Sequence, residues 1–225
     1  MTDEKQLDGM TYLVVYPKDF DPEKTYPLLV FLHGAGTRSE STQHLREENS
    51  SFRHLSRYAE EKAVMLAPLC SDIDWNFYMP TLIRLVEQYR DEPYIDADRV
   101  CLTGNSMGGY GAFALATLRP TLFAVAMPLC GGGVPWSTYR IEAAKLPVRA
   151  YHGLRDDTVD PAESVKMCAK INAGGGTAEL VTFPDLGHNV WDRVYSDPTI
   201  LDWFLSHRRG ETRKETNAFS GKDFG

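Results

Sequence analysis

Short continuous runs of apolar residues alternate along the chain with longer stretches whose apolar positions recur every three or four residues. The runs at 11–16, 28–33, 63–68, 99–103, 124–130, 148–152 and 179–183 read as strands. Most are apolar throughout rather than alternating, the mark of strands covered on both faces of a mainly parallel sheet. Between them, 50–62 reads as a helix with Phe52, Leu55 and Ala59 on one face. The next, 78–89, carries Leu82, Leu85, Val86 and Tyr89 at helical spacing. A small-residue helix over 106–118 is stopped by Arg119-Pro120, and one over 161–173 ends at Gly174-Gly175-Gly176. A last helix over 197–207 carries Ile200, Leu201, Phe204 and Leu205. Strand and helix alternating this often predict an α/β fold, a doubly wound, mainly parallel sheet of about seven or eight strands. The first strand is expected antiparallel at the edge. One domain over 1–207 is expected, followed by a polar, aperiodic, disordered tail over 208–225.

Composition narrows the function classes. The chain has 225 residues, 43% of them apolar, enough for a real core. Its net charge of −7 leaves no basic surplus to displace phosphate counterions, so nucleic acid is disfavoured as a partner. No apolar run approaches the roughly 20 residues a bilayer needs. The N-terminus lacks a basic start and an apolar stretch, which reads as cytoplasmic, while a removed signal would leave the same sequence. Cys70, Cys101, Cys130 and Cys168 show no C-x-x-C spacing, which argues for buried thiols over zinc or disulfides. The sequence leaves the oligomeric state open, a homodimer included.

The sharpest chemical signal is Gly104-Asn105-Ser106-Met107-Gly108, a G-x-S-x-G placed between a strand and a helix. A serine held in a strained turn with its hydroxyl exposed needs small neighbours two residues away on either side. The helix starting there aims its dipole and the Met107 N–H at a developing oxyanion. A dinucleotide fingerprint would need G-x-G-x-x-G near the first strand, and no G-x-x-x-x-G-K-[ST] occurs. A serine nucleophile needs a base, and the base an orienting acid. His188 lies in a loop after the final strand with Gly187 before it, and is read as the base. Three carboxylates compete for the acid in the loop after residue 152. Asp160 precedes Pro161 and reads as a helix cap, Asp157 as a turn residue, and spacing favours Asp156 only slightly. His33 and His152 each follow a strand and precede a glycine, and are read as structural, bonded to backbone.

Four motifs in order, Leu32-His33-Gly34-Ala35-Gly36, Gly104-Asn105-Ser106-Met107-Gly108-Gly109, His152-Gly153-Leu154-Arg155-Asp156-Asp157-Thr158-Val159 and Gly187-His188, resemble the α/β-hydrolases of the phospholipase/carboxylesterase group. The likeness is close to the dienelactone-hydrolase-like and "predicted peptidase" esterases and covers residues 10–207. The resemblance implies a Ser106–His188–Asp156 triad and an oxyanion hole formed by the N–H groups of Ala35 and Met107. Asp160 departs from the family, which usually has proline there. Dienelactone hydrolases themselves use cysteine, so Ser106 weighs against that activity. The implied activity is a serine carboxylesterase acting through an acyl-enzyme on a small-molecule ester, without metal or cofactor. Peptidase, acyl-thioesterase and feruloyl-type esterase are the alternatives on the same triad. A non-enzymatic binding protein is disfavoured, because such a protein is expected to lose a triad member or a flanking glycine.

Only 131–146 separates two late strands, too little for a cap domain, so an open site is expected. Trp75, Tyr78, Tyr110, Trp136 and Trp191 lie in segments expected at that face, with Trp136, Trp191 and Gly36 the chosen pocket candidates. Arg38 and Arg155 are candidates to bind an acidic substrate group, with solvated loop charges the commoner outcome.

Overall fold

The computed structural model describes residues 1–39 and 41–211. Its strands are β1 (Thr2–Leu7), β2 (Met10–Val15), β3 (Tyr26–Leu32), β4 (Val64–Pro68), β5 (Ile95–Asn105), β6 (Val125–Leu129), β7 (Val148–Gly153) and β8 (Ala178–Phe183). They form one sheet in the order β1-β2-β4-β3-β5-β6-β7-β8. From β4 through β8 every neighbouring pair is parallel, whereas β2 runs antiparallel to both β1 and β4. The expected antiparallel strand is therefore present, but it is not the edge. An additional strand, β1, lies outside it.

The helices are α1 (Thr42–Glu47), α2 (Ser50–Lys62), α3 (Met79–Arg90), α4 (Met107–Leu118), α5 (Tyr139–Ala144), α6 (Ala162–Ala173), α7 (Trp191–Tyr195) and α8 (Pro198–Leu205). They cover both faces of the sheet. On one, Leu82, Leu85, Ala112, Phe113, Met167 and Ile171 pack onto Val30, Leu66 and Leu102. On the other, Leu45, Phe52, Leu55, Val194, Leu201 and Phe204 pack onto Leu29, Phe31, Met65 and Met127. Residues alternate between the two cores along β3, as the two-residue strand period requires. Each fully buried aliphatic side chain contributes about 1.5–3 kcal/mol, so this double layer dominates folding. Local signals fix the ends. Asn49 Oδ1 accepts from Phe52 N–H at 2.7 Å to start α2, and Asp197 caps α8 ahead of Pro198.

Arg208 and Arg209, placed in the tail by the sequence reading, reach Asp96 and Asp98 on β5 at 2.6 and 2.7 Å. The folded body thus continues past residue 207, and the rest of the expected tail, 212–225, lies outside the described residues. Among the described residues, no helix is long and apolar enough to cross a membrane. Between β6 and β7 stand only one 3-10 turn, Pro135–Thr138, and α5. All four cysteines are free and buried.

Candidate active site

Ser106 sits on the turn between β5 and α4 with φ 56° and ψ −120°, a conformation that costs about 1–3 kcal/mol outside glycine. Close packing holds it there. A Cβ on Gly108 would stand 1.8 Å from the Leu32 carbonyl oxygen, and one on Gly104 2.3 Å from the Gly108 carbonyl oxygen. Only hydrogen fits at both places, which lets α4 start hard against the end of β3. The Ser106 N–H donates to Leu129 O at 2.9 Å, anchoring the turn to β6 as well.

His188 reaches Ser106 from the loop after β8. That loop lies directly on the end of β7, where a Cβ on Gly153 would fall 2.1 Å from the Gly187 carbonyl oxygen. The Ser106 hydroxyl donates to His188 Nε2 at 2.8 Å, and His188 Nδ1–H donates to Asp156 Oδ2 at 2.7 Å. The protons are assigned from this network of donors and acceptors. The structure thus brings Ser106, His188 and Asp156 into one hydrogen-bonded chain. Asp157 is exposed, and Asp160 Oδ1 accepts from Ala162 N–H at 2.8 Å at the start of α6.

The Asp156 side chain is fully enclosed. Its Oδ1 accepts from the N–H groups of Thr158 and Val159, both at 2.9 Å. Burial alone would raise this carboxyl group. The hydrogen bonds from His188, Val159 and Thr158 outweigh it and hold Asp156 below the usual carboxylate range, so it is ionised at neutral pH.

The N–H groups of Ala35 and Met107 each open a helical turn, Ala35–Thr37 and α4, where an amide has no partner in its own helix. Arg38 braces the first turn, donating to Ala35 O at 3.2 Å and to Ile73 O at 2.9 Å. It is exposed but tied down, not a free solvated charge. Beneath this turn His33 is fully buried, donating from Nδ1 to Gly34 O at 2.8 Å and accepting Cys70 N–H at Nε2 at 3.0 Å. Its expected backbone-bonded role agrees with that geometry.

A cavity of about 470 Å³ opens beside Ser106 and His188. Gly36 and Trp191 line it, and the Trp191 ring meets the His188 ring edge-on at 5.2 Å. Trp136 does not line it. Its side chain stands 76% exposed on the Pro135–Thr138 turn, because the short β6–β7 connection has nothing to fold it against. Trp75 is core, donating from Nε1 to His33 O at 3.0 Å. The cavity wall also holds Asn105, whose buried Oδ1 has no hydrogen-bond partner, and Asn49 and His44 from around α1. These last residues were missed because α1 is too short to show a period.

His152 departs from expectation. It is fully buried, and its ring bonds side chains as well as backbone: Nδ1 meets Ser164 Oγ at 2.8 Å, and Nε2 meets Asp156 Oδ2 at 3.1 Å and Val159 O at 3.0 Å. Ligand atoms of Cys130, His152 and Asp156 lie within 4.8 Å of one another. They already partner each other and their surroundings. Burial pushes the Cys130 thiol up to about 12, so it stays protonated and donates to His188 O at 3.1 Å.

Strand order, a serine on the sharp turn after β5, and an acid and a histidine on the loops after β7 and β8 define an α/β-hydrolase. The chain belongs to the dienelactone hydrolase family, which matches residues 56–196. It is 24% identical over 238 residues to dipeptidyl-peptidase 5 of Porphyromonas gingivalis, covering 83% of this chain and 34% of that protein. It is 26% identical over 131 residues to feruloyl esterase C of Emericella nidulans, covering 56% of this chain and 48% of that one. A thermostable esterase of known structure superimposes with a TM-score of 0.79 at 25% identity, over 93% of this chain and 63% of its own. The chain spans less than two thirds of each of these three proteins.

Proposed function

We propose that the chain is a serine carboxylesterase in which Ser106 is the nucleophile, His188 the base and Asp156 the orienting acid. The unbroken chain from Ser106 Oγ through His188 to Asp156 carries this reading, with 2.8 and 2.7 Å links. Ser106 Oγ attacks the ester carbonyl while His188 Nε2 takes its proton, and Asp156 stabilises the resulting imidazolium. The tetrahedral oxyanion faces the N–H groups of Ala35 and Met107, each worth roughly 3 kcal/mol in the transition state. His188 then protonates the departing alcohol, and an acyl-Ser106 ester remains. Water, deprotonated by His188, releases the acid.

The open cavity and short β6–β7 connection suit small or protruding esters. The similarity to feruloyl esterase C and the tryptophan beside His188 add aromatic esters to the candidates. A fluorophosphonate should label the native chain and leave Ser106→Ala unlabelled; an unlabelled native chain refutes the mechanism. A panel of p-nitrophenyl, feruloyl, thioester and peptide substrates then sets the class, and a clear peptide preference would overturn the esterase assignment.

A further inference from the structure

We propose that His152 is a positioning residue for the reaction: from the buried side it holds Asp156 Oδ2 in place and sets how strongly Asp156 attracts the proton on His188. The inference rests on the reading of Ser106, His188 and Asp156 given above.

The geometry is one oxygen between two imidazoles. Asp156 Oδ2 receives His188 Nδ1–H at 2.7 Å from the cavity side and His152 Nε2 at 3.1 Å from the interior. His152 Nε2 faces two acceptors, Asp156 Oδ2 and Val159 O, so it must carry a proton. On the far side of the ring, Ser164 Oγ lies 2.8 Å from Nδ1 and 2.8 Å from Gly131 O. A neutral ring with its proton on Nε2 accepts the Ser164 hydroxyl proton at Nδ1, and a ring that instead donates to Ser164 from Nδ1 carries a proton on both nitrogens, so Nε2 donates in either arrangement. The ring is therefore clamped between α6, the end of β6 and the Asp156 loop, and its donor direction is fixed.

A donor on Oδ2 does two things. It keeps the carboxylate from rotating about its side-chain bond, so that Oδ2 stays in line with His188 Nδ1. It also draws charge from the oxygen that receives the His188 Nδ1 proton. Other groups surround the pair. Cys130 reaches in from the end of β6, and Asp192 stands on α7 beyond Asn189. Arg155 and Asp157 on the acid loop are exposed. Tyr110 on α4 and Glu163 on α6 meet across Gly132, where Asp156, Asp160 and Lys166 also act on the phenol. Of these groups, only Cys130 shares a side-chain hydrogen bond with Asp156 among the described residues.

The test compares the full chain with His152→Leu, His152→Gln and Ser164→Ala. NMR follows the titration of the His188 ring and its downfield Nδ1 proton; fluorophosphonate labelling is measured against pH. In His152→Leu the His188 titration should move up by about one pH unit, and labelling at pH 7 should slow at least about threefold. In His152→Gln, whose amide N–H reaches the same oxygen, the titration should return to within about 0.3 unit of native. A folded His152→Leu with native titration and native labelling overturns the proposal, as does a His152→Gln that shifts as far as His152→Leu. Should His152→Leu not fold, Ser164→Ala decides, since a loosened ring must move the titration in the same direction and an unmoved one overturns the proposal. The ring titration needs no substrate. A chain whose His188 responds to these variants but never takes the label refutes the esterase reading alone. A labelled chain with an indifferent His188 refutes this one alone.

Discussion

His33 makes the chain acid-sensitive in a defined window. Its ring exposes no surface, and both nitrogens are engaged, Nδ1–H with Gly34 O and Nε2 with the Cys70 N–H. Protonation at Nε2 would turn the Cys70 amide against a second donor. Burial, helped by the positive charges of His44 and Arg38 and opposed by the Gly34 bond, lowers the ring from 6.5 to about 4. Between those values the unfolded chain binds a proton that the folded chain refuses. Stability is therefore full above about pH 6.5, falls as pH drops to about 4, and gains no further loss from this group below that. Two and a half units at about 1.4 kcal/mol each give about 3 kcal/mol, a large share of the roughly 5–15 kcal/mol that holds a domain together. Asp156 acts in a different window. Its folded value lies below the ordinary carboxylate one, so its contribution is complete above about pH 4 and is lost only as pH falls further.

The assay is urea unfolding followed by tryptophan fluorescence at half-unit steps from pH 7.5 to 4, on the native chain and on His33→Gln. The glutamine cannot titrate but can still accept from Cys70. Its stability at pH 7.5 is free to differ; the comparison is between slopes. The native chain should lose about 3 kcal/mol more than His33→Gln across the range. Parallel slopes would refute the argument, since every other titrating group is common to both proteins.

Three further substitutions test the site. Asp156→Asn keeps the shape but replaces the acceptor of the His188 proton; kcat should fall about 10³-fold or more, with the circular dichroism spectrum unchanged. A loss under about tenfold would remove Asp156 from its role. Gly108→Ala places a Cβ 1.8 Å from backbone at Leu32. The chain should fail to accumulate as folded protein, because overpacking against backbone costs more than about 3 kcal/mol; a native Tm would refute it. Gly153→Ala meets the Gly187 carbonyl at 2.1 Å and should push the His188 loop outward, lowering kcat at least about tenfold while the Ser106 turn stays intact.

Much of this architecture is legible in the chain because buried strands write it plainly. β3, β4, β5 and β6 are covered on both faces over most of their length and appear as continuous apolar runs. The helix expected over 50–62 matches α2 at both ends, and the three glycines after residue 173 close α6. Other elements left weaker traces. Three of the six residues of β1 are exposed, and its pairing depends on Asp8 and Gly9, whose φ values of 49° and 81° make a two-residue hairpin turn. That Asp-Gly pair is the signal that reveals β1. Helices α1, α5 and α7 span five or six residues, under two turns, and no period can show in so few positions. In the site, the residue types of Ser106 and His188 and their places at strand ends suffice to nominate them. The choice among Asp156, Asp157 and Asp160 needs the direction of each carboxylate, which spacing does not encode.

The same limit explains the two histidine-glycine pairs, which look alike in sequence and do different things. Both pairs stand at the carboxyl end of a parallel strand, β3 and β7. In both, the glycine admits a close approach: Gly34 to the Asn105 side-chain amide and carbonyl, Gly153 to the loop that delivers His188. In both, the histidine is fully buried one residue earlier. Yet His33 finds only backbone partners and supports the turn that presents the Ala35 N–H, whereas His152 finds Ser164 and Asp156. The difference lies in what the next strand over supplies. At β3 the chain just past the end of the neighbouring β4 supplies the Cys70 amide as donor. At β7 the chain turns at once into the acid loop and α6, which offer a carboxylate and a hydroxyl. A buried imidazole takes whichever partners surround it, so its part in the chemistry is decided by topology rather than by the dipeptide that carries it.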